Sequence, residues 1–563
     1  MTQTKLDSTI TESYMASIEN GQKVYEKLLE MTKDPMKYNA DLLMKILEDN
    51  KDTEYGKKYD FESIKTIKDY QNKVPITTYD DYADYIYRMT EKEEKNLITN
   101  YEVDHYAKSS GTMGNPKRIP TSLLNQKISK SYLNDMKHYL LTQKNGYDWI
   151  NHSFLNLVEV SISTLKNGAT YGSVSGKLLG TGKKSLVTTP IEGLMPNVET
   201  DTRYIHARFA LIHKDIQHGI TSFVSLFLES LRYIKENWEL LVNDIEKGTI
   251  DESVKMTDDV RKSLSEKIEP MPARAEELRK IFSEDINAFV PKVWPEFKLL
   301  AGVGTGGFAN YLKKIKEFTG RDFNFFLYGL NASEGTFTTP LELNNPDAVL
   351  IPDSMFYEFL PMEAKGDFTK VVTLDKLEIG KDYEVITTNL SGFYRYRMKD
   401  VIRCIGKENE MPVIEYLYRL DQCLSLTGEK VNEENLRAAA YSTEKEIGFD
   451  LIDFSAYADS DASPMKYIFL MEVADFPEDV TKEMLEEKLN KNFCATDPVL
   501  AYKIEKGLLG KTEMRFLQPE TYLFYKELRV ARGTSSAQVK PPRILRDEPD
   551  MKFFMVLLDD ELN

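Results

Sequence analysis

A run of small and hydroxyl-bearing residues, SSGTMGNPK, has the composition of a loop that binds phosphate. Residues of this kind let consecutive backbone N–H groups converge on an anion. Ser109, Ser110 and Thr112 add hydroxyl donors around Gly111, and Lys117 adds a positive charge. The Gly-Lys-Ser/Thr ending of a Walker A loop is missing. The residue types alone leave an ordinary surface loop as an equal alternative.

A serine and a glutamate, Ser333 and Glu334, follow the apolar segment FNFFLYG, which predicts a strand. In open α/β sheets, ligands bind beyond the C-terminal ends of the strands. A glutamate at that edge is suited to hold Mg²⁺ beside the phosphates of a nucleotide. A strand-to-loop turn with a solvated carboxylate is the alternative.

The segment GFYRYRMKDV carries another carboxylate with the chemistry of a nucleotide ligand. Strand alternation places Tyr394 and Tyr396 on one face and Arg395 and Arg397 on the other. Asp400, predicted to begin the next strand, is suited to accept hydrogen bonds from both ribose hydroxyls. The alternative is a charged hairpin with its aromatic rings packed inward.

Near the end of the sequence, Lys540 stands before two prolines in QVKPPR. Prolines restrict the backbone around them, so this lysine has few local conformations. It could bring a positive charge to an anionic transition state. A solvated basic turn is the alternative.

The composition bounds the class of protein that holds these residues. The chain has 563 residues, 41% of them hydrophobic, which predicts more than one domain with sizeable cores. Its formal net charge of -17 disfavours nucleic-acid and anionic membrane partners. Its 3 cysteines are too few for a disulfide framework or a zinc cluster. Neither a secretory signal nor a membrane-spanning run is evident, so we expect a cytoplasmic protein.

The spacing of apolar residues predicts the elements that position the motifs. Helices are predicted over the first ~100 residues, over Leu123–Leu141, over Ile220–Asn243 and around Met256–Phe282. Strands alternate with them, and a run of short strands follows from Phe297. This order predicts an α/β core with additional β-structure. A new α+β pattern follows Asp421 and ends with KFFMVLL, a predicted strand.

The segment LSLTGEKVNEENL is the predicted joint between two domains. We assign residues 1–420 to a large N-terminal domain, residues 421–430 to a hinge and residues 431–563 to a smaller C-terminal domain. These sizes are usual for domains.

The order of these motifs resembles the adenylate-forming superfamily, which includes acyl-CoA synthetases and luciferase-like enzymes. It resembles more closely the acyl-acid amido synthetases related to the plant auxin-responsive Gretchen Hagen family. SSGTMGNPKRIP is similar to that family's phosphate loop, and MFYEFLP, YRYRMKDVI, LSLTGEKVNEENL and QVKPPR are similar to further family blocks in the same order. The resemblance implies a large N-terminal α/β adenylation domain with additional β-structure and a small, mobile C-terminal α+β domain.

The resemblance also implies a role for each motif. Glu334 is the carboxylate on the magnesium side, and Asp400 contacts the ribose. Lys430 and Lys540 approach the nucleotide as the small domain rotates. The residues that would bind the ATP phosphates or other parts of the nucleotide are Ser109, Ser110, Gly111, Thr112, Lys117, Ser333 and Arg419.

Two positions depart from the family pattern. Lys399 stands where the family usually has glycine, and lysine adopts a positive φ only at a cost. We therefore expect the turn before Asp400 to differ. Tyr328 stands six residues before Glu334, farther than the family's tyrosine, so its stacking on adenine stays open.

The implied function is activation of a small carboxylic acid by ATP and Mg²⁺ as an acyl-adenylate, then transfer to an amine such as that of an amino acid. Two alternatives stay open: a coenzyme A ligase of the phenylacetate type, and a non-catalytic relative that binds a nucleotide or an acyl acid. From position alone, Phe154–Ile162, Thr170–Gly176 and Val303–Phe308 would build the acyl pocket. Of the 6 histidines, His105 is of interest because it precedes the phosphate loop.

Overall fold

The computed structural model divides the chain into two compact units. The first comprises Met1–Met398 and Ile402–Tyr416, and the second comprises Lys399–Val401 and Leu417–Asn563. The structure describes residues 8–108, 117–147, 152–160, 162–173, 186–196, 200–304, 312, 315–316, 319, 323–345, 347–420, 424, 426, 429, 431–475, 477, 480–534, 536, 539–545 and 548–559.

Helices of the first unit begin where the sequence supplies caps. The backbone N–H of Lys37 donates to Asp34, and Pro35 occupies the first turn of the same helix. Thr66 and Asp69 form a capping box at another helix start. The α-helices are α1 Ser8–Met31, α2 Pro35–Asn50, α3 Glu54–Lys58, α4 Ile67–Lys73, α5 Ala83–Glu91, α6 Leu123–Lys130, α7 Met136–Tyr139, α8 Ile191–Leu194, α9 Thr202–Leu211, α10 Val224–Lys247, α11 Asp258–Ser265, α12 Pro272–Glu284 and α13 Val290–Val293.

The strands of the first unit follow the predicted alternation with helices. They are β1 Val103–Lys108, β2 Arg118–Ser122, β3 Phe154–Asn156, β4 Ile162–Thr164, β5 Thr170–Gly172, β6 His218–Phe223, β7 Leu299–Val303, β8 Asn324–Leu327, β9 Asn331–Ala332, β10 Gly335–Thr336, β11 Thr338–Thr339, β12 Ala348–Leu350, β13 Met355–Pro361, β14 Val372–Thr373, β15 Asp382–Asn389, β16 Tyr396–Glu408 and β17 Met411–Arg419. One sheet, β3-β6-β7-β8, is entirely parallel. The others in the described residues run β2-β1-β5-β4, β10-β9 and β11-β12-β17-β16-β15-β13-β14. Residues 399–401 of β16 and 417–419 of β17 belong to the second unit.

Two helices of the first unit differ in their details from the helices that the sequence predicts. The helix from Leu123 continues to Lys144 with two π-helical turns, Ser131–Asp135 and Leu140–Lys144. The helix predicted from Ile220 is wrong at its start, because Ile220 lies in β6 and α10 begins at Val224. The sequence ITSF has the β-branched and aromatic content of a strand, and the helical spacing begins only after it.

The second unit has its own sheet and its own core. Strand β18 Asp450–Asp459 pairs antiparallel with β19 Lys466–Asp475, which pairs parallel with β20 Glu513–Phe516. Phe454, Phe469 and Phe493 pack together in the core of this unit. Its helices are α14 Glu433–Ile447, α15 Lys482–Cys494, α16 Pro498–Glu505, α17 Thr521–Ala531 and α18 Glu548–Met555. In the described part of the chain, no helix combines the length and apolarity needed to cross a bilayer.

The strand predicted at KFFMVLL is wrong, because residues 552–555 form the second half of α18. Glu548 and Asp550 lie in the first turn of α18, where their negative charges interact favourably with the positive end of the helix dipole. The hydroxyl of Tyr525 donates to Asp550 at 2.9 Å, and Phe554 is fully buried against the Tyr525 ring. Helical burial of one face therefore outweighs the local preference of an apolar run for a strand.

Candidate active site

The Ser-Glu motif lies beyond one end of the parallel sheet. Strands β3, β6, β7 and β8 run in the same direction, so their C-terminal ends meet at one edge. The chain leaves β8 and forms the small hairpin β9–β10, in which Ala332 pairs with Gly335. Ser333 and Glu334 are the two residues that connect the hairpin strands. The structure thus places this pair at the kind of edge where α/β sheets bind ligands.

Two buried amides hold the hairpin from outside. The backbone carbonyl of Glu334 accepts hydrogen bonds from Asn125 Nδ2 at 3.2 Å and from Asn389 Nδ2 at 3.0 Å. Asn125 lies in the first turn of α6, and Asn389 ends β15. Glu334 itself is 7% exposed. Three segments that are far apart in sequence therefore fix the backbone from which the Glu334 carboxylate projects.

Asn389 organises the turn that follows β15. Its Oδ1 accepts from the backbone N–H groups of Ser391 and Phe393, each at 3.0 Å, while its Nδ2 reaches the hairpin. Gly392 has a φ of +103, and a Cβ there would approach Ile98 Cγ1 to 2.8 Å. The sequence analysis missed Asn389. The pattern TNLSG after a buried strand is the available signal, because asparagine commonly closes such turns with its side chain.

The predicted phosphate loop is flanked by two paired strands. Ser109, Ser110, Gly111 and Thr112 lie outside the described residues. Lys108 and Arg118 are opposite each other in the β1–β2 pair, so the chain on either side of the loop is held together.

Lys117, at the end of that loop, lies against an aromatic ring. Its Nζ is 5.1 Å from the centroid of Tyr79. The hydroxyl of Tyr79 accepts a hydrogen bond from the backbone N–H of Arg118 at 3.0 Å. Tyr79 therefore supports the residues that lead from the loop into β2.

The arginines of YRYRM form ion pairs inside the first unit. Arg395 binds Glu358 through Nε and Nη2, both at 2.9 Å, with side-chain exposures of 6% and 1%. Arg397 binds Glu384 in the same bidentate manner at 2.8 and 2.9 Å. Tyr394 is fully buried and stacks on Tyr55 with ring centroids 4.9 Å apart. This part of the block therefore has a packing role.

Asp400 lies inside β16, so the prediction that it begins a new strand is wrong. The residue is 5% exposed, and Arg419 Nη1 is 3.7 Å from its Oδ1. Lys399 keeps a φ of +61, in the left-handed region. Lys399 therefore bears the steric cost of a residue with a Cβ in that region. The expectation that this turn differs from that of the family stays a prediction.

Lys540 lies in a charged environment within the second unit. The surrounding protein desolvates its ammonium and lowers its pKa, an effect that the carboxylates of Glu433 and Asp400 oppose and the guanidinium of Arg419 increases. The residue keeps an exposed surface, so water moderates the shift. The structure therefore brings Asp400, Arg419 and Lys540 near one another. Lys430 lies outside the described residues.

Tyr328, whose role the sequence left open, bonds to a lysine of the first unit. Lys137 Nζ donates to the hydroxyl of Tyr328 at 3.1 Å, and Lys137 is 2% exposed. The ring of Phe326 lies 5.4 Å from that of Tyr328. These contacts fix the tyrosine immediately after β8.

The segments proposed for the acyl pocket belong to two different sheets. The strand at Phe154 pairs with β6, whereas β5 pairs with β1 and β4. Residues 161, 174–176 and 305–308 lie outside the described residues, so this hypothesis stays a prediction. His105 is buried in β1, and its Nδ1 lies 2.9 Å from Thr170 Oγ1.

Comparison with known families decides the relationship. The GH3 family N-terminal domain matches residues 24–323, the central domain matches residues 348–419 and the C-terminal domain matches residues 434–549. The chain belongs to the GH3 family. The three domains occur in order along the chain. Asp400 and Arg419 fall in the central match and Lys540 in the C-terminal one, while Glu334 and Lys430 lie between matches.

Several relatives of this GH3 chain are plant proteins named as amido synthetases or ligases. It is 26% identical to the putative indole-3-acetic acid-amido synthetase GH3.9 of Arabidopsis thaliana, over 93% of this chain and 94% of that protein. It is 25% identical to the jasmonoyl–L-amino acid synthetase JAR4 of Nicotiana attenuata, over 93% of each chain. Identity is also 25% to the 4-substituted benzoates-glutamate ligase GH3.12 of Arabidopsis thaliana, over 93% of this chain and 95% of that one.

Solved structures establish the adenylate-forming fold of this GH3 protein. The GH3.15 acyl acid amido synthetase in complex with 2,4-DB matches with a TM-score of 0.83 and 23% identity, over 96% of this chain and 97% of that chain. A 2-hydroxyisobutyryl-CoA ligase matches with a TM-score of 0.51 and 11% identity, over 96% and 91% of the two chains. The predicted fold class, an α/β adenylate-forming architecture with a C-terminal domain, is confirmed.

Proposed function

We propose that this GH3 protein is an ATP-dependent ligase that joins a small carboxylic acid to the amino group of an amino acid through an acyl-adenylate. The observation that carries the proposal is the ordered match of all three GH3 domains between residues 24 and 549. The relatives across nearly the whole chain are named as synthetases or ligases that join an acid to an amino acid or form an amide.

The reaction has two group transfers. A carboxylate oxygen attacks the α-phosphorus of ATP, the new O–P bond forms, and the bond to the bridging oxygen breaks with its electron pair leaving on pyrophosphate. The amine nitrogen then attacks the acyl carbon, the C–O bond to the phosphate breaks, and AMP leaves with that pair. The nitrogen loses its proton to solvent. The protein contributes positioning and charge stabilisation in both transfers.

Each predicted site residue has a part in this proposal. Asp400 accepts hydrogen bonds from the ribose, with Arg419 beside it. Lys540 brings a positive charge to the α-phosphate, and Lys430 approaches in the second transfer. The residues assigned to the phosphates and the nearby nucleotide atoms are Ser109, Ser110, Gly111, Thr112, Lys117, Ser333 and Glu334.

A single carboxylate, that of Glu334, suits a Mg²⁺ ion whose other ligands come chiefly from the nucleotide. Among the described residues, no group of three or more His, Cys, Asp or Glu side chains could form a protein-only metal site. Mg²⁺ commonly uses one or two carboxylates together with phosphate oxygens and water. Glu334, fixed by its two amide contacts, would supply the carboxylate, and the ion would neutralise phosphate charge. We expect Glu334→Gln to raise the Mg²⁺ concentration needed for half-maximal activity.

ATP–pyrophosphate exchange over a panel of carboxylic acids tests the first transfer. Incubation of each active acid with pooled amino acids or with coenzyme A, followed by mass spectrometry, tests the second. We expect an amide product with at least one amino acid. A thioester alone would favour the phenylacetate-type coenzyme A ligase, and no exchange with any acid would favour a non-catalytic binding protein. Lys540→Ala should reduce turnover far more than it reduces folding stability.

A further inference from the structure

The loop that carries Lys540 is tied to the edge strand of the second unit. Ser455 in β18 donates its hydroxyl to the carbonyl of Pro542. The next residue of β18, Ala456, donates its backbone N–H to the carbonyl of Arg543 at 2.8 Å and accepts from Leu545 at 2.9 Å. The segment just after the two prolines therefore runs as an extra short pairing along β18.

The side chain of Arg543 reinforces this attachment inside the protein. Its Nη1 bonds to the Asp453 carboxylate and donates to the carbonyl of Phe454 at 2.7 Å. The guanidinium lies over the Phe454 ring at 4.7 Å from the centroid. Arg543 and Asp453 are each 7% exposed. Separating the two partners of an ion pair this buried would leave a buried charge without its counter-charge, which is costly. The pair therefore holds the backbone of Arg543 firmly in place.

Only Pro541 and Pro542 separate Lys540 from Arg543. Each proline fixes its own φ, and each also restricts the residue before it. A displacement of the Arg543 backbone therefore moves the Lys540 backbone by a similar distance, because the intervening chain is stiff. We propose that the Arg543–Asp453 pair is a positioning device for Lys540, which sets where its ammonium lies for the first transfer. This inference rests on the proposed function of Lys540.

The pair is distinct from the groups that surround the lysine charge. Glu433, Asp400 and Arg419 act on the Lys540 ammonium, whereas Arg543 and Asp453 act on the backbone three residues further on. Loss of the pair should therefore lower kcat more than it raises KM for ATP or acid. A misplacement of about 1 Å can cost ~100-fold in rate, so we expect Arg543→Met to lower kcat for pyrophosphate exchange by about 10- to 100-fold.

A second arginine of the same sheet supplies the matched control. Arg515 in β20 pairs with Glu513 at 2.7 Å and has a side chain that is 28% exposed. Arg515→Met should alter folding stability without a comparable loss in kcat. Asp453→Asn, which keeps the shape of the side chain, replaces Arg543→Met if that variant does not fold. Equal losses of kcat in the Arg515 and Arg543 variants would overturn the inference.

The decisive experiment combines the change with removal of the lysine. If Arg543 acts through Lys540, then Arg543→Met should lower kcat by less than about twofold in a Lys540→Ala background, because residues that act as a unit are not additive. The full loss in that background would assign Arg543 a purely structural role and overturn the proposal.

A readout without catalysis separates this inference from the proposed function. Competitive acylation of the folded protein over a range of pH, followed by peptide mass spectrometry, reports the reactivity and the pKa of Lys540. We expect Arg543→Met to move the lowered pKa of Lys540 toward the ordinary lysine value and therefore to slow its acylation at neutral pH, because less of the amine is unprotonated, while Arg515→Met leaves both the pKa and the rate unchanged. This result with no exchange activity would reject the proposed function alone. Unchanged Lys540 reactivity in Arg543→Met would reject the positioning role.

Discussion

Arg395 offers a sharp test of the packing role assigned to the YRYRM block. Arg395→Met removes the partner of Glu358 and also two donors, because Nη1 bonds to the carbonyls of Gln71 and Val74, each at 2.9 Å. We expect a large loss of folding stability in the first unit. Denaturant unfolding followed by tryptophan fluorescence measures it selectively, since the 3 tryptophans, Trp149, Trp238 and Trp294, all belong to that unit.

The structure sets the size of the loss. Removing one member of a buried ion pair costs about 3–5 kcal/mol, because the other charge stays buried. Gln71 Nε2 still donates to Glu358 at 3.0 Å, which favours the lower end, ~3 kcal/mol. Glu358→Gln combined with Arg395→Met removes the stranded charge, so the double variant should be more stable than Arg395→Met alone.

Arg403 in β16, the strand that follows Arg395, is the control. It binds Asp382 with Nε at 2.7 Å and Nη2 at 3.1 Å, but the two side chains are 41% and 29% exposed. Arg403→Met should cost less than ~1 kcal/mol, because water screens exposed pairs. Equal losses for Arg395→Met and Arg403→Met would refute the argument from burial. A raised KM for ATP with unchanged stability would instead place Arg395 in the nucleotide site.

Three further predictions concern the second unit. The left-handed φ of Lys399 costs about 1–2 kcal/mol in a residue with a Cβ, whereas a glycine costs roughly 0.5–1 kcal/mol in chain entropy. Lys399→Gly should therefore raise the free energy of unfolding in denaturant by about 0.5–1 kcal/mol, and a lower value would contradict this argument. Burial raises the pKa of Glu472 above the ordinary value of a glutamate, about 4.5, so its contribution to stability is complete below that pH and is lost as pH rises through the raised pKa. Glu472→Gln should remove this pH dependence from the free energy of unfolding measured above about pH 4.5, and the same pH dependence in both proteins would refute the argument. The side chain of Glu429 is fully buried and accepts hydrogen bonds from Lys503 Nζ at 3.0 Å and from the Tyr467 hydroxyl. Glu429→Ala should therefore lower the free energy of unfolding of this unit by about 3 kcal/mol, measured by hydrogen exchange of its peptides. A decrease below ~1 kcal/mol would count against a stabilising role of the buried pair.

Much of the fold could be predicted because long helices and strands leave a periodic pattern. Caps such as Asp34-Pro35 mark the helix starts in the sequence itself. The pattern failed at KFFMVLL, since a short apolar run fits a strand and a buried helix equally well. The contact of Tyr525 with Asp550, 25 residues apart, decides between them, and no local signal encodes it.

The candidate site was predictable only in part, for a similar reason. The position of Ser333 and Glu334 follows from a local rule, that a turn after a strand lies at the sheet edge. The contact of Asn389 with the Glu334 carbonyl joins residues 55 apart and depends on the fold. Likewise, alternation predicts that Arg395 and Arg397 share one face, but Arg395 precedes β16 and has a φ of +46. The pattern also does not reveal that their partners, Glu358 and Glu384, lie on β13 and β15.

Lys399 shows how tertiary structure overrides a local preference in the segment that contains Asp400. Lysine disfavours a positive φ, so sequence reasoning expected a different turn before Asp400. The strand on either side is fixed by ion pairs to β15, Arg397 with Glu384 and Arg403 with Asp382. Because both flanks are held, Lys399 keeps a φ of +61 despite its Cβ. Strain of this kind persists where the surroundings over-determine the backbone, and here those surroundings present Asp400 to Arg419.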